Sequence, residues 1–93
     1  MALTTWEHDG DHWCMLVTLN DEGRYFELSV ARTMTATTGR NVLMPGPTAV
    51  TVLVYHPAEE MHSVAFFNEH EEVPFEVLTQ FVERVNKALA TEA

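Results

Sequence analysis

The sequence predicts an α+β domain, an antiparallel sheet of four to six strands in meander order with one C-terminal amphipathic helix packed on one face. Three features carry this expectation. Apolar and polar residues alternate over Trp13–Leu19 and again over Arg24–Ala31, a period of two that marks half-buried strands. Asp9-Gly10 precedes them as a two-residue hairpin signal. From Pro74 to Ala90 the apolar residues recur instead with helical spacing. The chain has 93 residues, 46% of them hydrophobic and 20% charged, which fits one packed domain and neither disorder nor two cores. The sheet is expected over 1–68 and the helix over 74–90.

A type I′ turn needs positive φ at both central residues, and Asp-Gly tolerates it. A turn at Asp9-Gly10 pairs His8 with Asp11, Glu7 with His12 and Trp6 with Trp13, so the two indoles meet across the strands. Beyond the turn, Trp13, Met15, Val17 and Leu19 alternate with Cys14, Leu16 and Thr18. Asn20-Asp21-Glu22-Gly23 is a polar turn, and Phe26, Leu28 and Val30 then alternate with Tyr25, Glu27 and Ser29. The Thr-rich stretch 32–41 ends in Thr38-Gly39-Arg40-Asn41, a turn between weaker strands. Met44-Pro45-Gly46-Pro47 is expected to break regular pairing, because two prolines remove two donors.

Ala49–Tyr55 is almost wholly apolar and β-branched, which predicts a central strand covered on both faces. His56-Pro57-Ala58-Glu59-Glu60 turns the chain into a last strand over Met61–Phe67, where adjacent Phe66 and Phe67 face opposite ways. Glu69-His70-Glu71-Glu72 is a charged connector. Pro74 suits the first helical position, where its missing N–H costs nothing. Leu78, Phe81, Val82, Val85 and Leu89 form the predicted buried stripe, with Phe75 extending it one turn earlier. Glu76, Gln80, Glu83, Arg84 and Lys87 take the other face, and the late cations complement the helix dipole.

Charge narrows the function. Five Lys and Arg stand against 14 Asp and Glu, a formal net charge of −9. Phosphate contacts need clustered cations, so direct nucleic-acid binding is not expected. The single Cys excludes an internal disulfide and points to a reducing cytoplasm. Met1–Gly10 has neither Lys nor Arg nor an apolar run, as a secretory signal would, and no stretch approaches the roughly 20 apolar residues of a membrane helix.

No catalytic set assembles. His8-Asp9-Gly10-Asp11-His12 offers metal-ligating types, but a hairpin puts His8 and His12 on opposite faces of the ribbon. Cys14 lies in a strand, far in sequence from any cation that would favour its thiolate. The paired acids at Asp9/Asp11, Asp21/Glu22, Glu59/Glu60 and Glu71/Glu72 fall in turns, where water solvates them rather than raising a pKa for acid catalysis. No glycine-rich phosphate loop, nucleophile elbow or His-Glu-x-x-His is present. No cofactor is expected.

The distribution of acids is more telling. Met1–Gly23 carries five acids and no Lys or Arg; Glu59–Glu76 carries six and again none; Arg24–Ala58 holds three Arg and one Glu. Loops brought together at the sheet edges would make a negative rim that steers a basic partner. The expectation is a small acidic, non-catalytic binding module of the inhibitor, immunity, antitoxin, anti-defence or secretion-chaperone kind, acting on a basic protein surface. Glu59, Glu60, Glu69, Glu71, Glu72, Trp6 and Trp13 are its candidate contacts. The alternative is an assembly module, a homodimer or larger, closing through an open sheet face; a metal-binding or small enzyme domain comes third. The strand and acidic-led helix over His62–Leu89 resemble the C-terminal end of small acidic type III secretion chaperones. Those chaperones also carry a leading helix and a second one mid-chain, neither of which is predicted here, so no family is assigned.

Overall fold

The structure, a computed structural model, describes residues 2–56 and 62–91. Five strands, β1 (Ala2–His8), β2 (Asp11–Leu19), β3 (Gly23–Thr35), β4 (Asn41–Tyr55) and β5 (Ser63–Phe67), precede one helix, α1 (Phe75–Ala90). The strands pair antiparallel in the order β1-β2-β3-β4-β5, so every neighbour in sequence is a neighbour in the sheet. This is the predicted α+β meander with a C-terminal helix on one face. Among the described residues no helix is long and apolar enough to cross a membrane.

The first hairpin forms as expected. Asp9 and Gly10 have φ of 49° and 84°, and Trp6 faces Trp13, Glu7 faces His12 and His8 faces Asp11. At the next turn the Asn20 amide donates to the Gly23 carbonyl at 2.9 Å, and the Asn20 side chain accepts hydrogen bonds from the backbone of Glu22 and Gly23, which closes the β2–β3 hairpin. Gly23 starts β3 so close to β4 that a Cβ there would lie 2.1 Å from the Val54 carbonyl oxygen, so a side chain has no room.

The helix covers the face built from Trp13, Met15, Phe26, Leu28 and Val50, and Val77, Phe81 and Val85 close the core from above. Val77, Phe81 and Val85 are its buried residues, with Leu78, Ala88 and Leu89 partly buried against the same core, so the predicted stripe packs at Leu78, Phe81, Val85 and Leu89 but not at Phe75 and Val82. Phe75 is 73% exposed and Val82 46%, while Val77 is fully buried. Val82 lies about 100° and Phe75 about 120° from the stripe's centre at Phe81, counted at 100° per residue, at its flank rather than its middle. Pro74 is the residue just before the helix and supplies no side-chain cap; its carbonyl accepts the Leu78 amide at 3.0 Å.

Met44-Pro45-Gly46-Pro47 does not end the pairing. β4 runs through it, with irregularities in register between Leu28 and Ala31 of β3. The reason is position. β2 pairs with β3 only as far as Trp13, opposite Val30, and β5 begins pairing at Val50, so among the described residues β4 at Pro45 and Pro47 has β3 on one side and no strand on the other. Proline is tolerated on such an edge and at bulges, where no partner needs its N–H. Ala31–Thr35 and Asn41–Pro45 therefore form a two-stranded ribbon beyond the sheet. Its tip is closed by hydrogen bonds from the Ala36 amide to the Arg40 carbonyl and from the Gly39 amide to the Ala36 carbonyl. The molecule is accordingly elongated, 46 × 30 × 24 Å.

The inner half of β4, expected as a central strand covered on both faces, is flanked by β3 and β5. Val50 packs toward the helix; Leu53 points the other way and is 4% exposed, set between its register partners Tyr25 and Val64 with no second layer among the described residues.

Candidate functional site

Two parts of the molecule gather polar side chains, and they differ in kind. The first joins α1 to the β1–β2 hairpin. Trp6 Nε1 donates to Gln80 Oε1 at 2.9 Å, and Gln80 Nε2 lies 3.3 Å from His8 Nδ1. The Arg84 guanidinium stacks over the Trp6 ring at 4.1 Å and donates to the Gln80 carbonyl at 3.1 Å. Gln80 thus satisfies the one polar atom of a half-buried indole, and Arg84 covers its face. This arrangement holds the helix to the edge of the sheet. Beside it an open groove of about 550 Å³ runs between Thr4, Met15, Arg84 and Lys87, with no histidine or cysteine in its lining.

The second lies at the other edge. β5 is five residues long and, among the described residues, pairs only with β4. Phe66 is 56% exposed and Phe67 66%, on opposite faces of that strand, and Phe75 projects from the start of the helix. Between them runs the acidic connector, held by one residue. The Asn68 amide donates to the Ala49 carbonyl at 2.9 Å and its side-chain amide donates to the Thr48 carbonyl at 3.2 Å. Asn68 Oδ1 accepts the His70 amide and the Asn68 carbonyl accepts the Glu71 amide. The connector is therefore a tight polar turn pinned to β4, not a slack tether. It displays Glu69, Glu71 and Glu72, with Glu76 following in the first helical turn and no Lys or Arg from Glu59 to Glu76. His70 Nε2 lies 3.8 Å from Glu69 Oε1, both side chains well exposed.

The remaining candidates divide cleanly. Trp13 is 3% exposed and belongs to the core; Trp6 is half-buried under Arg84, so neither indole is presented to a partner. Glu59 and Glu60 lie outside the described residues. The hairpin acids Asp9 and Asp11 do share an end of the sheet with the connector, as the register requires, but they sit on the β1 side. Three strands and the root of the ribbon lie between. Asp21 and Glu22 are at the opposite end. The acids thus form separate groups, of which Glu69, Glu71 and Glu72 are the one next to exposed aromatic surface.

His8 faces the helix while His12 faces the other side, and among the described residues no group of three His, Cys, Asp or Glu side chains is placed to hold a metal ion. Cys14 is fully buried with its Sγ 3.1 Å from Ser29 Oγ. Two features escaped the pattern of the sequence. Gln80 reads as a solvent-face residue and instead bridges helix and hairpin; its exposure to Trp6 depends on a contact 74 residues away. The basic ribbon reads as weak strands, although the absence of any acid from Leu28 to His56 marks it.

No protein family, curated protein or solved structure matches the chain.

Proposed function

We propose that this chain is a small acidic, non-catalytic protein-binding module that acts on a basic partner surface, in the manner of an inhibitor, immunity protein, antitoxin, anti-defence protein or secretion chaperone. The observation that carries the proposal is the exposed Phe67 and Phe75 on either side of a pinned turn bearing Glu69, Glu71 and Glu72. Exposed aromatic side chains supply contact area at little entropic cost, and a ring of like charge selects and steers an oppositely charged partner. A single buried thiol accords with a reducing cytoplasm as its setting.

Self-association through the face away from the helix draws less support, because that face presents Leu3 and Phe66 as its exposed large apolar residues while Cys14, Ser29 and Leu53 are already buried. The test is capture from a lysate of the source cell on the immobilised chain, eluted by rising salt, beside two variants. A basic protein retained by the native chain and lost by the E69Q/E71Q/E72Q triple variant and by F67A/F75A supports the proposal. Equal retention by all three rejects this surface.

A further inference from the structure

The ribbon is chemically the inverse of the connector. From Leu28 to His56 the chain has no acid and two cations, Arg32 and Arg40. Cross-strand pairing sets Arg32 opposite Met44 and Met34 opposite Val42, so alternation brings all four to one ribbon face. Met34 is 56% exposed, Met44 44% and Val42 38%. A monomer thus leaves an apolar, cationic surface in water, and among the described residues neither Arg32 nor Arg40 has a carboxylate within ion-pairing distance. The connector offers the complement: phenylalanine rings, which methionine sulfur contacts favourably, and three carboxylates.

Within one chain the tip of the ribbon does not reach the connector. Past two register irregularities between Leu28 and Ala31 the β3–β4 ladder continues into the ribbon, and the tip stands about 20 Å beyond Ala31 at the usual rise per residue. The connector, bonded through Asn68 to Thr48 and Ala49, lies at the ribbon's root. A two-fold axis that sets two ribbons antiparallel places the tip of each against the root of the other, and makes the same contact twice.

We infer that the ribbon face of Arg32, Met34, Val42 and Met44 docks a second copy of this chain, the two ribbons lying antiparallel with Arg40 at the tip of each against Glu69, Glu71 and Glu72 at the root of its partner. The inference rests on the proposed function in taking the connector as a docking surface, and it names a second copy as one occupant.

Charge exchange tests it by sedimentation equilibrium on the full chain. The native protein sediments as a dimer at low ionic strength, and dimerisation weakens by about tenfold or more on moving from ~0.05 M to ~0.5 M salt. The R32E/R40E variant and the E69R/E71R/E72R variant are each monomeric alone, since like charges then meet at both contacts. Mixed in equal amounts they form a heterodimer, because each acidic ribbon meets a basic connector and each basic ribbon an acidic one. Circular dichroism confirms that each variant is folded, and recovery of the mixture shows that loss of the dimer was not misfolding. A native chain that stays monomeric at low salt, variants that remain dimeric, or a mixture that stays monomeric overturns the inference. Capture of a basic protein by R32E/R40E, lost with E69Q/E71Q/E72Q, would leave the proposed function standing in that event.

Discussion

Between Arg24 and Val30, and again between Val50 and Val54, the two long strands have strand neighbours on both edges and the helix packed over one face. Between Ala31 and Thr48 the same two strands have only each other. The first region buries Phe26, Leu28 and Val50 almost completely; the second leaves Met34, Val42 and Met44 in solvent. A two-stranded hairpin is at best marginally stable in water, so the ribbon is held by its continuity with strands anchored in the body. The comparison shows one sheet divided by energetic role: the body supplies the folding free energy, and the ribbon, released from packing, is free to carry surface chemistry.

Substitutions should separate the two regions sharply. Phe81→Ala removes a fully buried ring from the centre of the body and is expected to cost about 3–5 kcal/mol, read from urea unfolding. Gly23→Ala should follow at about 1–3 kcal/mol, because its Cβ meets the Val54 carbonyl oxygen and backbone must shift. Gln80→Ala strips the Trp6 indole N–H of its acceptor, an expected loss of about 1–3 kcal/mol, with faster amide exchange in β1 than in β3. Met34→Ser on the ribbon should move monomer stability by no more than about 0.5 kcal/mol. A loss near that of Phe81→Ala would mean that the ribbon is packed after all.

The smallest effect concerns Tyr25 at the polar turn. Its hydroxyl donates to Glu22 Oε2 at 2.8 Å, and this bond to a carboxylate holds the phenol pKa above its usual value. A raised folded-state pKa favours the fold while the phenol is protonated, so that contribution is present through neutral pH and lost as pH rises past the folded value. Glu22→Gln should let Tyr25 ionise at lower pH, followed by tyrosinate absorbance; an unchanged titration would sink the assignment.

Much of this architecture was legible in residue order because local rules sufficed. Asp9-Gly10 set a turn type, and the turn set the register of Trp6 on Trp13. What was not legible depended on where strands end in space. The prolines at 45 and 47 look like breakers until β4 is seen to have no outer neighbour there. The helix was legible as a helix, and Leu78, Phe81, Val85 and Leu89 of its predicted stripe do pack on the core; but Phe75 and Val82 are as apolar as Val77, and residue order alone does not decide which of them is buried. The candidate site was half visible. Glu69, Glu71 and Glu72 stood out as a charge run, whereas the burial of Trp13, which removes it from any surface, required the helix to be in place.

The buried pair of Cys14 and Ser29 gives the protein a native stopwatch. A thiol with no accessible surface reacts with a disulfide reagent only while β2 and β3 are parted, so its labelling rate is the intrinsic rate scaled by the fraction of time they are open. With one cysteine in the chain every labelling event is assigned in advance. Arrest of that labelling by a docked partner would read out, without any engineered probe, how far the binding free energy reaches into the middle of the sheet.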